Sequence, residues 1–276
     1  MQVKLGLGID FRQTGLELTD VTYGAGRFVA VGLCGTILTS TNGETWRAQA
    51  SGTGNFLRGV THGAGLFVAV GLGGTIPLIS RDGVTWTTWP SETLDSLFSV
   101  THGDGLFVAV GEDGTILTSS DGVRWATQDS GTEATLWGVT HGDGLFVAVG
   151  EWGTVLTSPD GVSWTEQASG TSERLRGVTY ANGLFVAVGD EGTILTSSDG
   201  VSWTAQSSGT NAGLFGVTHG DGLFVAVGWG GTILTSTNGE TWRAQASGTS
   251  AALRGVTYGG NRFVVVGDRG TILTSP

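Results

Sequence analysis

The sequence predicts an all-β chain, a seven-bladed β-propeller of four-stranded antiparallel blades that occupies residues 1–276 as one domain. Three observations carry that reading. The element Phe-Val-Ala-Val-Gly begins at Phe28, Phe67, Phe107, Phe146, Phe185 and Phe224, and Phe-Val-Val-Val-Gly begins at Phe263, so one unit recurs seven times at spacings of 39 or 40 residues. Within each unit, four short apolar or β-branched runs are divided by Asn-Gly, Asp-Gly and similar pairs, which mark tight hairpins because such turns need positive φ. No stretch shows convincing helical periodicity.

The fifth unit shows the elements in order: "LRGVTY" from Leu175, "LFVAVG" from Leu184, "TILTSS" from Thr193 and "VSWTAQ" from Val201. Both parities of its second run are apolar (Phe185, Val186, Ala187, Val188). A strand reads that way when both faces of its sheet are covered, as stacked blades require; a half-solvated sheet would alternate. The seventh unit stops at "TILTSP", after its third run, and Leu7 falls where the other units place Trp. Residues 1–10, with about 2–10 as strand, are therefore expected to complete the blade formed by 251–276 and to close the ring. The second unit departs from the rest. Its "GTIPLIS" (74–80) has one residue more than "GTILTS" and carries Pro77, which predicts a bulge because proline cannot donate to a ladder.

Composition narrows the function classes. There are 50 Gly, but 39% hydrophobic content and ten Trp argue for a packed core rather than a low-complexity chain. Thirteen Lys and Arg against 24 Asp and Glu give a net charge of −11 with no basic cluster. Nucleic acid is not an expected partner, since phosphate neutralisation drives that affinity. The one cysteine, Cys34, excludes an internal disulfide framework and a cysteine zinc cluster. The start "MQVKLGLGID" has no apolar signal-peptide core, and no apolar run approaches the roughly 18 residues of a spanning helix. A soluble monomer without cofactor, metal or membrane insertion is expected, and the compartment is left open.

The segment "SSDGVSW" (197–203) resembles the Asp-box of sialidases and of bacterial BNR-repeat propellers. Versions stand at Ser80–Trp86, Ser119–Trp125, Ser158–Trp164 and Ser197–Trp203, with Asn for Asp at Ser40–Trp46 and Ser236–Trp242, each one residue shorter than the family pattern. The phrase "GTILTSSDGVSW" is similar to the repeat of photosystem II assembly-factor-like propellers, over nearly the whole chain. The resemblance implies the fold, and implies that these turns join the third and fourth strands on the face away from the usual binding mouth. It says little about activity, because function belongs to sites grafted on propellers. The motif itself reads as structure: its Asp accepts from turn amides and its Trp buries a flat surface between blades.

In a repeat protein the informative positions are those that refuse to repeat. One such column lies nine residues before each Phe-Val-Ala-Val-Gly: Thr19, Arg58, Phe98, Trp137, Arg176, Phe215, Arg254. The other is the tip between the second and third strands: Leu33–Cys34, Leu72–Gly73, Glu112–Asp113, Glu151–Trp152, Asp190–Glu191, Trp229–Gly230, Asp268–Arg269. Strand direction puts both columns on one face, around the central channel. The candidate ligand-binding residues are Arg58, Phe98, Glu112, Asp113, Trp137, Glu151, Trp152, Arg176, Asp190, Glu191, Phe215, Trp229, Arg254, Asp268 and Arg269. Aromatics with convergent polar groups on concave ground form binding sites: Trp stacks on sugars or cations, and Arg forks take carboxylates or phosphates. The competing reading is that they plug the channel. A third column, Tyr23, His62, His102, His141, Tyr180, His219 and Tyr258, lies at the opposite end. Tyr substitutes freely there, each blade supplies one residue and no Asp or Glu accompanies the column consistently, so it reads as a strand-end aromatic rather than a metal ring.

The function expected from the sequence is non-catalytic recognition of a carbohydrate or peptide ligand at the channel mouth. One alternative is a sialidase-like glycoside hydrolase, with Arg58, Arg176 and Arg254 gripping a substrate carboxylate and the rim carboxylates as acid and base. Sialidases resemble six-bladed rings, however, and this chain has seven units and no Arg-Ile-Pro element. A second alternative, implied by the photosystem-factor resemblance, is an assembly or scaffold factor with a protein partner. A third is a designed repeat chain without an evolved ligand, since "GTILTSTNGETWRAQASGT" recurs unchanged at 35–53 and 231–249.

Overall fold

The computed structural model describes residues 16–73, 77–89 and 94–275. Among these, six four-stranded antiparallel sheets and one three-stranded sheet each run from inside to outside in chain order. Blade one comprises β1 (Leu18–Gly24), β2 (Arg27–Gly32), β3 (Ile37–Ser40) and β4 (Arg47–Gln49). The inner strands of the other six blades begin at Leu57, Leu97, Leu136, Leu175, Leu214 and Leu253. The chain is a seven-bladed β-propeller.

The two ends of the blade series meet. β1 packs against the inner strand Leu253–Gly259 of blade seven. Arg262 Nη1 reaches Glu44 Oε1 at 2.8 Å, and Val264 and Val266 share a buried cluster with Leu18, Phe28 and Trp46. The expected closing strand, residues 1–10, lies outside the described residues.

The core lies between blades, which explains the apolar residues at both parities. Val147, Val149 and Val155 of blade four pack on Leu175, Phe185, Ala187 and Leu195 of blade five, with Trp203 at the edge. Phe28, Phe67, Phe107, Phe146, Phe185 and Phe224 are fully buried. Each such side chain contributes about 1.5–3 kcal/mol through apolar burial.

The Asp-Gly turns are structural devices. Asp199 Oδ1 accepts the backbone N–H groups of Val201 and Ser202, each at 2.8 Å. Ser197 Oγ donates to Asp199 at 2.9 Å and accepts from Gly200 N–H at 2.8 Å, and Trp203 Nε1 donates to the Gly200 carbonyl at 2.9 Å. These bonds, led by the one from Ser202, hold the Asp199 carboxyl down to about 2. Asn42 and Asn238 serve the same turns through their amide oxygens. A carboxylate so engaged with its own backbone is committed to the turn.

Beside these turns, the His/Tyr column caps the inner strands. Each ring tilts onto the buried Phe of its own blade at 4.5–4.8 Å between centroids. It also sits over the strand-end residue of the preceding blade. A Cβ on Gly63 would lie 2.2 Å from His102 Cγ, so the glycine makes room for the ring. Flatness is the shared requirement, which is why Tyr and His interchange.

Blade two differs where the sequence predicts a bulge. Its third strand is Leu78–Ser80, and the ladder ends at Ala69↔Leu78, one pair earlier than Val31↔Ile37 in blade one. Pro77 follows outside the ladder, its carbonyl accepting Trp89 N–H at 3.4 Å. Residues 74–76, on which the bulge falls, lie outside the described residues.

Candidate functional site

The first variable column is variable for a structural reason. β1 pairs Leu18 with Gly32 and then Asp20 with Val31, so Thr19 is an extra residue opposite no partner. The same slip isolates Arg58, Phe98, Trp137, Arg176, Phe215 and Arg254. A bulge frees its residue from the ladder and re-aims the side chain. Here all seven line one cavity of about 200 Å³ at the channel mouth.

The residue after each bulge faces the neighbouring blade's backbone. A Cβ on Gly177 would stand 2.8 Å from the Phe215 carbonyl oxygen. Blades one and three carry Asp20 and Ser99 at this position instead. Asp20 Oδ2 accepts Val60 N–H at 2.9 Å and Oδ1 accepts Val21 N–H at 2.8 Å. Ser99 Oγ accepts Val139 N–H at 3.3 Å. Burial pushes the Asp20 carboxyl up to about 7, against the opposing pull of its two backbone bonds.

A backbone bond sets the second column beside the first. The leading N–H of each tip donates to the carbonyl two residues before the bulge: Leu72 to Phe56, Asp190 to Arg174 and Trp229 to Gly213, all at 2.9 Å. The next residue is left-handed, including Asp113 (φ 49°), Trp152 (φ 55°), Glu191 (φ 52°) and Arg269 (φ 58°). That conformation is an outlier for a side chain as large as Trp, and Trp152 is 72% exposed. The tips stand on the rim, while the bulge residues form the cavity wall.

Around the wall the three cations Arg58, Arg176 and Arg254 pack against the rings beside them. Arg58 Cζ lies 4.3 Å from the Phe56 ring centre and 5.6 Å from that of Phe98. Phe98 stacks on Trp137 at 4.4 Å and 11°. Arg176 lies 5.7 Å from Trp137 and 5.0 Å from Phe215, and Arg254 lies 5.5 Å from Phe215 on the other side. Trp229 meets Phe215 edge-on at 5.5 Å and stays half-exposed.

The rim carboxylates are mostly engaged. Asp190 takes Arg176 in a two-point fork (2.5 and 3.0 Å), and Asp268 takes Arg254 likewise (2.5 and 3.2 Å). Glu151 pairs with Arg174 at 3.2 Å, and Glu112 accepts Ser96 N–H at 3.2 Å. Asp113, Glu191 and Arg269 are exposed on the outer lip. Two mouth residues, Phe56 and Arg174, escape the sequence reading. They belong to a further non-repeating column, Glu17, Phe56, Ser96, Thr135, Arg174, Gly213, Ala252, two residues before each bulge. Its variation was the available signal.

Buried donors at this end lack partners. Among the described residues, Arg58 Nε, Trp137 Nε1 and Arg174 Nε are buried without a hydrogen-bond partner; His62 Nε2 and His102 Nε2 share that state at the opposite end. The three at the mouth are all N–H donors. Burial pulls Arg58 below the ordinary guanidinium range, and the charges of Arg254 and Arg176 add to that while Glu17 and Glu112 oppose it. Among the described residues, no three His, Cys, Asp or Glu side chains gather as a metal cluster, and no helix is long and apolar enough to cross a membrane.

No family model and no curated protein matches the chain. Solved structures of seven-bladed propellers do. YCF48 from Cyanidioschyzon merolae aligns with a TM-score of 0.75 at 21% identity, covering 95% of this chain and 96% of that one. YCF48 bound to D1 peptide aligns with a TM-score of 0.75 at 17% identity, covering 95% and 92%. A catalytically inactive virginiamycin B lyase from Staphylococcus aureus with quinupristin reaches a TM-score of 0.87 at 12% identity, covering 99% and 98%. At these identities the likeness is one of fold.

Proposed function

We propose that this protein is a non-catalytic recognition propeller that holds a peptide segment across its central mouth. The observation that carries the reading is a set of three partnerless buried donors: Arg58 Nε and Trp137 Nε1, whose residues line the aromatic cavity, and Arg174 Nε, whose guanidinium lies 5.4 Å from the Trp137 ring. Buried N–H groups call for acceptors, and a peptide presents one carbonyl oxygen per residue. The cavity of about 200 Å³ is below the usual range of roughly 300–1,000 Å³ for enclosed small-molecule pockets. It suits one or two side chains of an extended segment lying over the mouth. YCF48, which shares the fold, has been solved with a D1 peptide, which supports the same use of the scaffold here.

A carbohydrate is the second reading, supported by the exposed indoles of Trp152 and Trp229. Parallel peptide and glycan arrays probed with the labelled protein separate the two. The peptide reading expects peptide hits, with affinities about tenfold or more weaker in Trp137→Ala and Trp152→Ala. Hits on glycans alone would transfer the mouth to sugars. Hits that both variants leave unchanged would move the site elsewhere, and blank arrays would favour a scaffold without an evolved ligand.

A further inference from the structure

Resting on the reading of the mouth as a peptide site, we infer that Arg58 is the anchor for a carboxylate of the bound segment. Arg58, Arg176 and Arg254 occupy the same bulge in blades two, five and seven. All three stack on aromatic rings. Stacking engages the face of a guanidinium and leaves its in-plane N–H fork to be satisfied by an acceptor.

In blades five and seven that acceptor is built in, as Asp190 and Asp268. In blade two the same tip position holds Leu72. Its backbone is anchored as theirs are, with Leu72 N–H on the Phe56 carbonyl at 2.9 Å, matching Asp190 on Arg174 and Asp268 on Ala252. The tip is thus in place and its side chain lacks the carboxylate. Arg58 Nε is buried without a partner, whereas the Nε atoms of Arg176 and Arg254 are bonded. The two neutralised forks show what this site accepts: a planar carboxylate in two-point contact.

The carboxylate has two sources, a chain terminus or an Asp or Glu side chain, and one experiment separates them. Sodium acetate is titrated against the protein at constant ionic strength, with the Arg Nε–H cross-peaks followed by proton–nitrogen NMR. The Arg58 signal is expected to shift saturably while those of Arg176 and Arg254 stay; no shift, or equal shifts at all three, overturns the inference. Array-selected peptides are then compared with a free or amidated C-terminus, and with Asp and Glu replaced by Asn and Gln. Removing the relevant carboxylate should weaken binding about 10- to 100-fold in the wild type and leave Arg58→Gln indifferent. Arg58→Lys controls for folding and should retain part of the discrimination. Peptides that bind equally well in all forms overturn the carboxylate anchor but not the peptide reading. Acetate binding without any peptide hit sustains the anchor and removes the peptide.

Discussion

Arg176 closes a two-point fork onto Asp190, fourteen residues along the same blade, with Nε 2.5 Å from Oδ1 and Nη2 3.0 Å from Oδ2. The pair joins a bulge on the inner strand to the tip of the next turn. It shows that the scaffold delivers both ends of the fork without help from elsewhere in the ring. The same geometry recurs between Arg254 and Asp268.

Placing the missing carboxylate in blade two should therefore silence Arg58. In Leu72→Asp the new side chain is expected to reproduce the Arg176–Asp190 fork. Carboxylate-dependent peptide affinity should fall about tenfold or more, with the melting temperature unchanged or slightly raised. Calorimetric titration beside a thermal melt checks both; affinity equal to the wild type would contradict the comparison of the three blades.

Trp152 combines a left-handed backbone with 72% exposure. Trp152→Gly should relieve about 1 kcal/mol of local strain and raise the melting temperature by about 2–3 °C while weakening ligand binding. A variant that loses stability would show that the indole is held by packing rather than kept for a ligand.

Asp20 makes stability depend on pH in an unusual direction. Its carboxyl titrates near 7 in the folded chain against 3.8 ordinarily, so between those values the folded state holds a proton that the unfolded state has released. Stability attributable to Asp20 therefore falls as pH rises through this window, by up to roughly 1.4 kcal/mol per unit, and levels off above it. Asp82 and Asp199, held down to about 2, act oppositely: their stabilisation is present above the ordinary value and is lost toward pH 2. Denaturant melts from pH 4 to 8 should show Asp20→Asn with a flatter profile and higher stability at pH 8. An Asn variant with the wild-type slope would locate the dependence elsewhere.

The opposite end carries its own titration. Burial lowers the pKa of His102, and the charges of His141 and His62 lower it further. Its neutral form is thus favoured on folding, and that stability is lost as pH falls through 6.5, the ordinary value. His102→Tyr, the residue of blades one, five and seven at this position, should match the wild type at pH 8 and exceed it at pH 5. Equal acid sensitivity of the two proteins in a melt at pH 5 would dismiss the effect.

Much of the fold was legible because the blades repeat the same instructions: the Phe at the blade interface and the apolar second strand recur seven times, and the Asp-Gly or Asn-Gly turn before the Trp six times. The site was legible only as variation. Arg58, Trp137 and Arg254 stood out by refusing to repeat, but the bulge that frees them depends on the one-residue slip between Leu18 and Asp20, which composition does not encode. The forks were hidden by distance along the chain, since Arg176 and Asp190 sit in separate runs. Phe56 and Arg174 were overlooked although their column varies just as freely. Pairing decides which charges stay available, and pairing is a property of the folded rim.

The most direct test of the account maps an array-selected peptide onto the protein by proton–nitrogen NMR. The peptide should shift the indole N–H of Trp137 and the Nε–H signals of Arg58 and Arg174 together, leaving the indole of Trp203 in the Asp-Gly turn unmoved. Shifts confined to the turn indoles or the His/Tyr end, with Trp137 and Arg58 unchanged, would contradict the central claim that the bulge-lined mouth is the binding site.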